Sequence, residues 1–430
     1  MKNILFLLVI TCSHLLPAQE EKTIKPARTQ NLIINTILFD GQKNSKVSFL
    51  KRVINIKPGD TVSFTQIEEN VQLLIRLPSV AHASYELENE SFKKNALTFK
   101  IQENFTLIPQ INFWTVNDDE VAYKLGLSEF NLLGRGIKVG GFYQNNGFDG
   151  YSFSIEAPYL FTRNWGLAAN FLQWASKEPL FLDTGVANYR YRNISYELLS
   201  LHRINNHITT QVGINFFTED YRYLDGATSS DIPLDVTLDK IMGKLVLEYN
   251  NLDYEYHQLN GYSSKLFFQY VHNDEAVQPS FLIGWNDFLY FKRIGKKGNW
   301  ANRLRVGFAS NDDSPFAPFA VDNNLNIRGV GNIIDRGTAS LVLNTEYRHT
   351  IYNSRSIVVQ SNVFIDAGTW RNPGGELDDL LSARTARVYP GVGFRIIHKR
   401  IFNAVLRVDY GYGITRDASQ GFVFGIGQYF

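Results

Sequence analysis

Phe422-Val423-Phe424-Gly425-Ile426-Gly427-Gln428-Tyr429-Phe430 is the stretch on which the fold turns. Its residues alternate with a period of two, the spacing of a β-strand whose two faces meet different surroundings. The pattern runs to the last residue, which is aromatic. A soluble sheet seldom needs to finish on its final residue. A membrane barrel does, because its last strand must close against its first so that no backbone edge faces lipid. The expectation is a closing strand that reaches Phe430, with Gly425 and Gly427 on one face as weak points of packing.

The same alternation recurs upstream. Tyr151, Phe153, Ile155 and Ala157 alternate with Ser152, Ser154 and Glu156. Ile208, Thr210, Val212, Ile214 and Phe216 alternate with Thr209, Gln211, Gly213 and Asn215. Ala339, Leu341, Leu343, Thr345 and Tyr347 alternate with Ser340, Asn344, Glu346 and Arg348. A soluble β-sandwich and an outer-membrane barrel share this pattern with inside and outside exchanged. The alternating block is about 320 residues long, too long for one sandwich. Aromatics collect near segment ends (Tyr159, Phe161 and Trp165; Trp300; Tyr410 and Tyr412), where interfacial girdles fall. At roughly 20 residues per strand and connector, 107–430 is expected to be a transmembrane β-barrel of about 16 antiparallel strands.

Composition agrees. Lys and Arg number 43 and Asp and Glu 42, and this overall balance leaves no electrostatic footprint for nucleic acid or anionic lipid. Tyr, Phe and Trp number 22, 31 and 6, yet mean hydropathy is only −0.18. Half of every barrel strand faces water, which reconciles the two. Residues 1–18 have a basic start, an apolar run from Ile4 to Ile10 and Leu16-Pro17-Ala18 before Gln19, the layout of a secretory signal peptide. The one cysteine, Cys12, leaves with that peptide, and residues 19–30 form a polar lead.

Residues 31–104 behave differently. Leu32–Phe39 alternates as a strand, Val47–Ile54 has helical spacing, and Lys57-Pro58-Gly59-Asp60 is a turn. Gln66–Ile75 reads as a second helix with Thr65 at its cap, early acids, and Ile67, Val71 and Leu74 on its apolar face. Strands around Ala81–Leu87 and Ala96–Gln102 complete a β-α-α-β-β unit, a small α+β domain.

With these pieces in order, the chain resembles the BamA/TamA superfamily of outer-membrane insertases and translocases, in which periplasmic POTRA domains precede a 16-stranded barrel. The 31–104 unit looks like one POTRA domain. Asn131-Leu132-Leu133-Gly134-Arg135-Gly136 looks like the family's early hairpin motif, and Ala157-Pro158-Tyr159-Leu160 like its next strand end. Asn326-Ile327-Arg328-Gly329-Val330-Gly331 resembles the Arg-Gly motif at the tip of the long sixth loop, although Val330 stands where the family has Phe or Tyr. Phe364-Ile365-Asp366-Ala367-Gly368-Thr369-Trp370 resembles the late-strand motif with an inward Asp.

The residues themselves single out the same loop. Residues 311–336 are the longest Pro-containing, non-alternating stretch of the barrel region, and long loops of this kind are usually functional or disordered. Glu346 shares strand parity with Asn344, and Asp366 with Gln360 and Asn362, so both acids point inward. The resemblance implies that Arg328 is held by Glu346 and Asp366, a geometry suited to guanidinium and not to ammonium. The bland reading is an ordinary surface-loop arginine. Arg303, Arg305, Arg395, Arg407 and Asp409 also fall on inward parity, either as a charged wall or as side chains solvated in a wet lumen.

No metalloprotease, nucleophile-elbow or phosphate-loop motif is present, and the eight His residues are scattered. The expectation is a non-enzyme with no cofactor and no metal. The resemblance implies an outer-membrane assembly factor that acts on unfolded outer-membrane or secreted clients. Its domain would lie in the periplasm, its barrel seam (Phe422, Phe424, Gly425, Gly427 and Phe430 on one side) would open laterally, and accessory periplasmic or lipoprotein partners would assist. The alternatives are a secretion pore for one dedicated partner and a passive outer-membrane channel.

Overall fold

The computed structural model describes residues 31–91, 94–115, 121–182, 184–230, 232–255, 257–275, 278–312, 314, 317–321, 326–330, 335–402, 404–416 and 418–430. The expected signal peptide and polar lead lie outside the described residues. No described helix is long and apolar enough to cross a membrane.

The N-terminal unit contains β1 (Leu32–Asp40), α1 (Val47–Val53), β2 (Thr61–Val62), α2 (Phe64–Ile75), β3 (Val80–Ser91) and β4 (Lys94–Glu103). Its sheet has the order β2-β1-β4-β3, with β1 and β4 parallel. The strand pair β3 and β4 and both helices fall where the sequence places them, and β2 is an addition after the Lys57–Asp60 turn. The cap of α2 is not Thr65. Ser63 accepts from Gln66 N while the Gln66 side chain accepts from Ser63 N, a reciprocal capping box that starts the helix at Phe64. The acids Glu68 and Glu69 therefore fall beyond the first turn. Ile34, Leu50, Ile67, Leu74, Leu97 and Phe99 form a fully buried core.

The remainder is one 16-stranded antiparallel sheet. Its strands are β5 (Leu107–Thr115), β6 (Val121–Leu132), β7 (Ile137–Asn145), β8 (Asp149–Ala157), β9 (Trp165–Leu182), β10 (Gly185–Arg203), β11 (Ile208–Gly226) and β12 (Asp235–Glu255). They continue with β13 (Gln258–His272), β14 (Phe281–Ile294) and β15 (Gly298–Ala309). After a small loop hairpin, β16 (Phe319–Val321) and β17 (Asp335–Gly337), come β18 (Ala339–Asn353), β19 (Ile357–Arg371), β20 (Ala386–His398), β21 (Val405–Tyr412) and β22 (Gln420–Ile426). Each strand pairs with the next, except that β15 pairs with β18 across the hairpin. The hairpin gives the long loop a structured stretch that its sequence did not announce.

Burial runs inside out. Leu198, Val212, Phe216, Val363, Leu406, Phe422 and Phe424 are exposed on one face of the sheet, while Asn344, Glu346, Arg348, Gln360, Asp366, Arg395 and Asp409 are buried on the other. An apolar exterior around a polar interior is what lipid demands of a barrel. The expected 16-stranded fold is borne out.

The closing strand is shorter than its alternation suggests. β22 stops at Ile426, and Gly427 turns the chain with φ +98°, a left-handed conformation that strains any residue with a Cβ. Residues 428–430 leave the sheet and enter the lumen, where Tyr429 is buried. Phe430 therefore does not lie on the seam strand. Inside the barrel, the guanidinium carbons of Arg303 and Arg348 lie 5.6 and 5.5 Å from its ring centroid. The end strands β5 and β22 approach within 8 Å between Cα atoms, yet share no ladder among the described residues.

Candidate functional site

The inner site is built by inward residues of β14, β15 and β18–β21 and by one loop. On β18 and β19, period-two spacing directs Asn344, Glu346 and Arg348, and Asn362, Phe364 and Asp366, into the lumen. Loop residues 326–330 lie against them, all buried.

Arg328 is at the centre. Its backbone N and its Nε donate to Asp366 Oδ2 (2.9 and 2.8 Å), and Nη2 donates to Asp366 Oδ1 (2.9 Å). Nη1 donates to Glu346 Oε2 (2.7 Å) and lies 3.7 Å from Asp409 Oδ1. The guanidinium carbon sits 3.6 Å from the Phe364 ring centroid and 4.7 Å from that of Tyr429. The planar fork thus meets carboxylates at its edge and aromatic rings near its faces, which suits Arg alone among the cations. The structure brings Arg328, Glu346 and Asp366 together in one contact.

Glu346 also takes Arg395 Nη2 on both oxygens (2.9 and 2.8 Å) and pairs with Arg348. Arg407 pairs with Asp409 at 3.0 Å. Arg303 Nε donates to Asn344 Oδ1 (2.9 Å), and Arg305 is bound to Asp287 through Nε (2.6 Å) and Nη2 (2.7 Å). These side chains therefore form a connected network. Breaking a buried pair of this kind costs about 3–5 kcal/mol, because a charge is left behind without a partner.

Glycines let the loop approach. At Gly329 φ is +94°, and a Cβ there would stand 2.6 Å from Gly411 O. A Cβ on Gly411 would stand 2.2 Å from Arg328 O. The loop tip and β21 touch backbone to backbone. Gly368 does the same for Ile327, whose Cδ1 would be 2.7 Å from an added Cβ. Ser419 Oγ donates to Val330 O (2.8 Å), and Asn344 Nδ2 to Asn326 O (2.8 Å). Val330 packs with Val321, Ile327, Trp370 and Tyr389, so the aromatic contact missing at position 330 is supplied by other chain segments.

Phe364, Tyr429 and Arg348 are the members that sequence reasoning did not assign. Parity alone places Phe364 beside Asp366 and Arg348 beside Glu346. Tyr429 had no such signal, because its alternation reads as strand. On β22, Phe422 and Phe424 face outward, and Gly425 leaves room for Arg407, whose Nη2 would be 2.8 Å from an added Cβ.

A second constellation joins the N-terminal unit to the barrel rim. The turn after β6 receives Lys46 N on Gly134 O (2.8 Å), and Asn131 Nδ2 donates to Ser45 Oγ (3.1 Å) while its Oδ1 accepts from Gly136 N (2.8 Å). Phe49 fills the space a Cβ on Gly136 would need, at 2.4 Å. Arg135 is exposed and takes no part. Arg52 Nη1 donates to Tyr159 O (2.6 Å), and the Tyr159 ring meets Phe49 edge to face at 5.5 Å. Tyr159 is therefore part of the domain core and not a girdle residue. Phe161 and Trp165 are exposed at that rim as a girdle would be. Arg76 Nη1 donates to Asn206 O (2.8 Å) and Arg163 Nε to Val53 O (3.1 Å), extending the junction to the next turns.

Fold and site together define an outer-membrane-type β-barrel with one small POTRA-like domain on its rim and an arginine-locked loop in its lumen. Solved structures share that fold. BamA from Haemophilus ducreyi lacking POTRA domains 1–3 matches with TM-score 0.56 and 15% identity over 92% of this chain and 84% of that one. CdiB from Acinetobacter baumannii matches with TM-score 0.60 and 15% identity over 93% and 74%, and CdiB from Escherichia coli with TM-score 0.61 and 11% identity over 91% and 75%. No family model matches the sequence. The resemblance to the BamA/TamA superfamily is thus borne out at the level of the fold.

Proposed function

We propose that this chain is an outer-membrane insertase or translocase of polypeptides, with residues 31–104 in the periplasm and with unfolded outer-membrane or secreted proteins as clients. The observation that carries the reading is the seam. β5 and β22 lie side by side, each paired on one side only among the described residues. An unpaired strand edge is a template for another chain. A client strand that completes either edge recovers the backbone hydrogen bonds that lipid cannot supply.

The base of the seam is pinned. Phe105 N donates to Arg400 O (2.8 Å), and the rings of Phe130 and Phe402 lie 4.7 Å apart across it. Opening therefore proceeds from the far end. The β3 edge of the N-terminal sheet, paired only with β4 among the described residues, offers a first docking strand for the client. The lock ties the loop tip to the inner wall beside the seam, and the reaction needs no cofactor or nucleotide, because client folding supplies the energy. Loop residues 326–330 seated against the inner wall speak against a passive channel.

The test is a disulfide between cysteines introduced in β5 and β22, in cells otherwise depleted of the protein. Oxidation should deplete many outer-membrane proteins, and reduction should restore them. Loss of one exported protein alone would assign dedicated secretion instead. An unchanged outer-membrane proteome would overturn the proposal.

A further inference from the structure

The wall formed by β9–β12 is the tallest of the barrel, with strands of 18, 19, 19 and 21 residues. On its outward face, Leu198, Tyr196, Val212, Ile214 and Phe216 are exposed to the apolar phase. Away from the N-terminal domain, the outward residues of β10 and β11 change character in steps. Tyr196 stands opposite Phe216, Ile194 opposite Thr218, Arg192 opposite Asp220, and Arg190 opposite Arg222. Lys177 of β9 stands opposite Arg190 on its other side. One row across three strands is therefore Lys177, Arg190, Arg222.

Like charges placed directly opposite one another destabilise a sheet, so this row needs a counterion. The neighbouring acids supply it only in part, to Lys177 and to Arg192 but not to Arg190 or Arg222. Asp225 takes Asn188 Nδ2 (2.5 Å) and lies 3.5 Å from Lys177. Asp239 accepts from Thr218 Oγ1 (2.5 Å). Asp220 accepts from Thr237 Oγ1 (2.7 Å) and lies 3.9 Å from Arg192. Asp235, opposite Arg222 in register, is exposed and makes no ion pair among the described residues. Arg190 and Arg222 have no carboxylate within ion-pair distance among the described residues. Arg190 Nε is buried without a hydrogen-bond partner, and the Phe148 ring, 5.3 Å away, steadies its guanidinium. Arg190, Arg192, Asp220 and Arg222 enclose a recess of about 100 Å³.

Height decides the ligand. At about 3.3 Å per residue and a strand tilt near 40°, Arg192 lies roughly 5 Å and Arg190 roughly 10 Å beyond Ile194, the last apolar residue before the charges. That is the headgroup layer of a bilayer whose hydrocarbon covers Tyr196 and Phe216. We propose that the recess binds the phosphate of an anionic lipid in the leaflet far from the N-terminal domain, its acyl chains lying along Tyr196, Leu198, Ile214 and Phe216. This rests on the membrane-spanning reading above but not on insertase activity. Two guanidinium forks lining one recess match a phosphate bidentately.

The test uses the full chain in phosphatidylcholine nanodiscs doped with a bisphosphorylated acyl-disaccharide lipid or with its dephosphorylated counterpart. Lipid retained after detergent extraction is read by native mass spectrometry. The wild-type chain should retain the phosphorylated lipid over the dephosphorylated one by about tenfold, and R190Q/R222Q should lose that preference while R190K/R222K keeps part of it. Equal retention of the two lipids by the wild-type chain overturns the proposal without recourse to any variant. So does full retention by R190Q/R222Q that still migrates as a folded barrel. Binding of inorganic phosphate without preferential retention of the phosphorylated lipid assigns the recess to a free anion and overturns it as well. A failure of the membrane-spanning reading shows separately, as protein absent from the nanodisc fraction.

Discussion

The guanidinium carbon of Arg328 lies 4.7 Å from the centroid of the Tyr429 ring. A loop residue thereby meets the segment that follows the closing strand, deep in the lumen. Arg407 approaches the same ring at 4.9 Å, and Gln428 accepts from Arg395 Nη1 (2.7 Å). Moving β22 outward must then disturb Arg328, and freeing Arg328 must loosen the residues beyond β22. Seam and loop are coupled through shared neighbours.

Arg328→Ala should destabilise the folded barrel by about 3–5 kcal/mol, because Asp366 and Glu346 each lose a buried partner. Proteolysis of the 311–336 loop on intact cells should become faster, and Arg328→Lys should rescue little of the loss. Unchanged protease protection in Arg328→Ala would remove the residue from its assigned role.

Tyr429→Ala takes away only a ring, so the expected loss is smaller, about 1–2 kcal/mol. Its signature is kinetic. Oxidation of a cysteine pair across β5 and β22 should slow as the seam widens, while Tyr429→Phe behaves as wild type.

Gly411→Ala places a Cβ 2.2 Å from Arg328 O and should expel the loop tip, although the substitution is chemically mild. Gly243→Ala, where nothing lies within 4 Å, is the matched control and should change stability by no more than about 0.5 kcal/mol. Urea midpoints of the two variants decide it.

Phe402→Ala removes one ring of the pair that bridges the seam base. It should raise the rate of seam opening, read by cross-linking, at a stability cost of about 3 kcal/mol or less, since the site is only partly buried. If cross-linking is unaffected, the base is not a clasp.

Glu103 governs acid sensitivity of the N-terminal unit. Burial pushes its carboxyl up, but backbone N–H groups of Asn44, Ser45 and Lys43 together outweigh that and hold it below the ordinary value. A carboxyl with a lowered folded pKa stabilises above its unfolded value, near about 4.3, and that stability is lost as pH falls through the folded pKa. Hydrogen exchange of residues 43–46 should therefore accelerate in acid, and Glu103→Gln should show the fast exchange already at pH about 7.

Much of the fold was legible because lipid imposes a strict alternation. Glu346 and Asp366 could be placed inside from their neighbours' polarity alone, and Arg328 stood out in a loop with no alternation of its own. Tyr429 could not be found this way, since Gly427 changes the chain's direction through a backbone torsion that leaves no periodic trace. Tyr159 misled for a related reason. An aromatic at a strand end fits a membrane girdle and a domain junction equally, and only the position of Phe49 separates the two. Thr65 and Ser63 are both plausible caps, and reciprocity with Gln66 selects Ser63.

Tyr159 also bears on the order in which the protein is made. Residues 31–104 leave the ribosome before the barrel, but their core takes in a side chain from the turn between β8 and β9. The earlier module is thus finished by a later one, and its sheet edge acquires this anchor relative to the seam only when the second barrel hairpin is in place. Before that point the edge lacks this anchor; after it, the edge points.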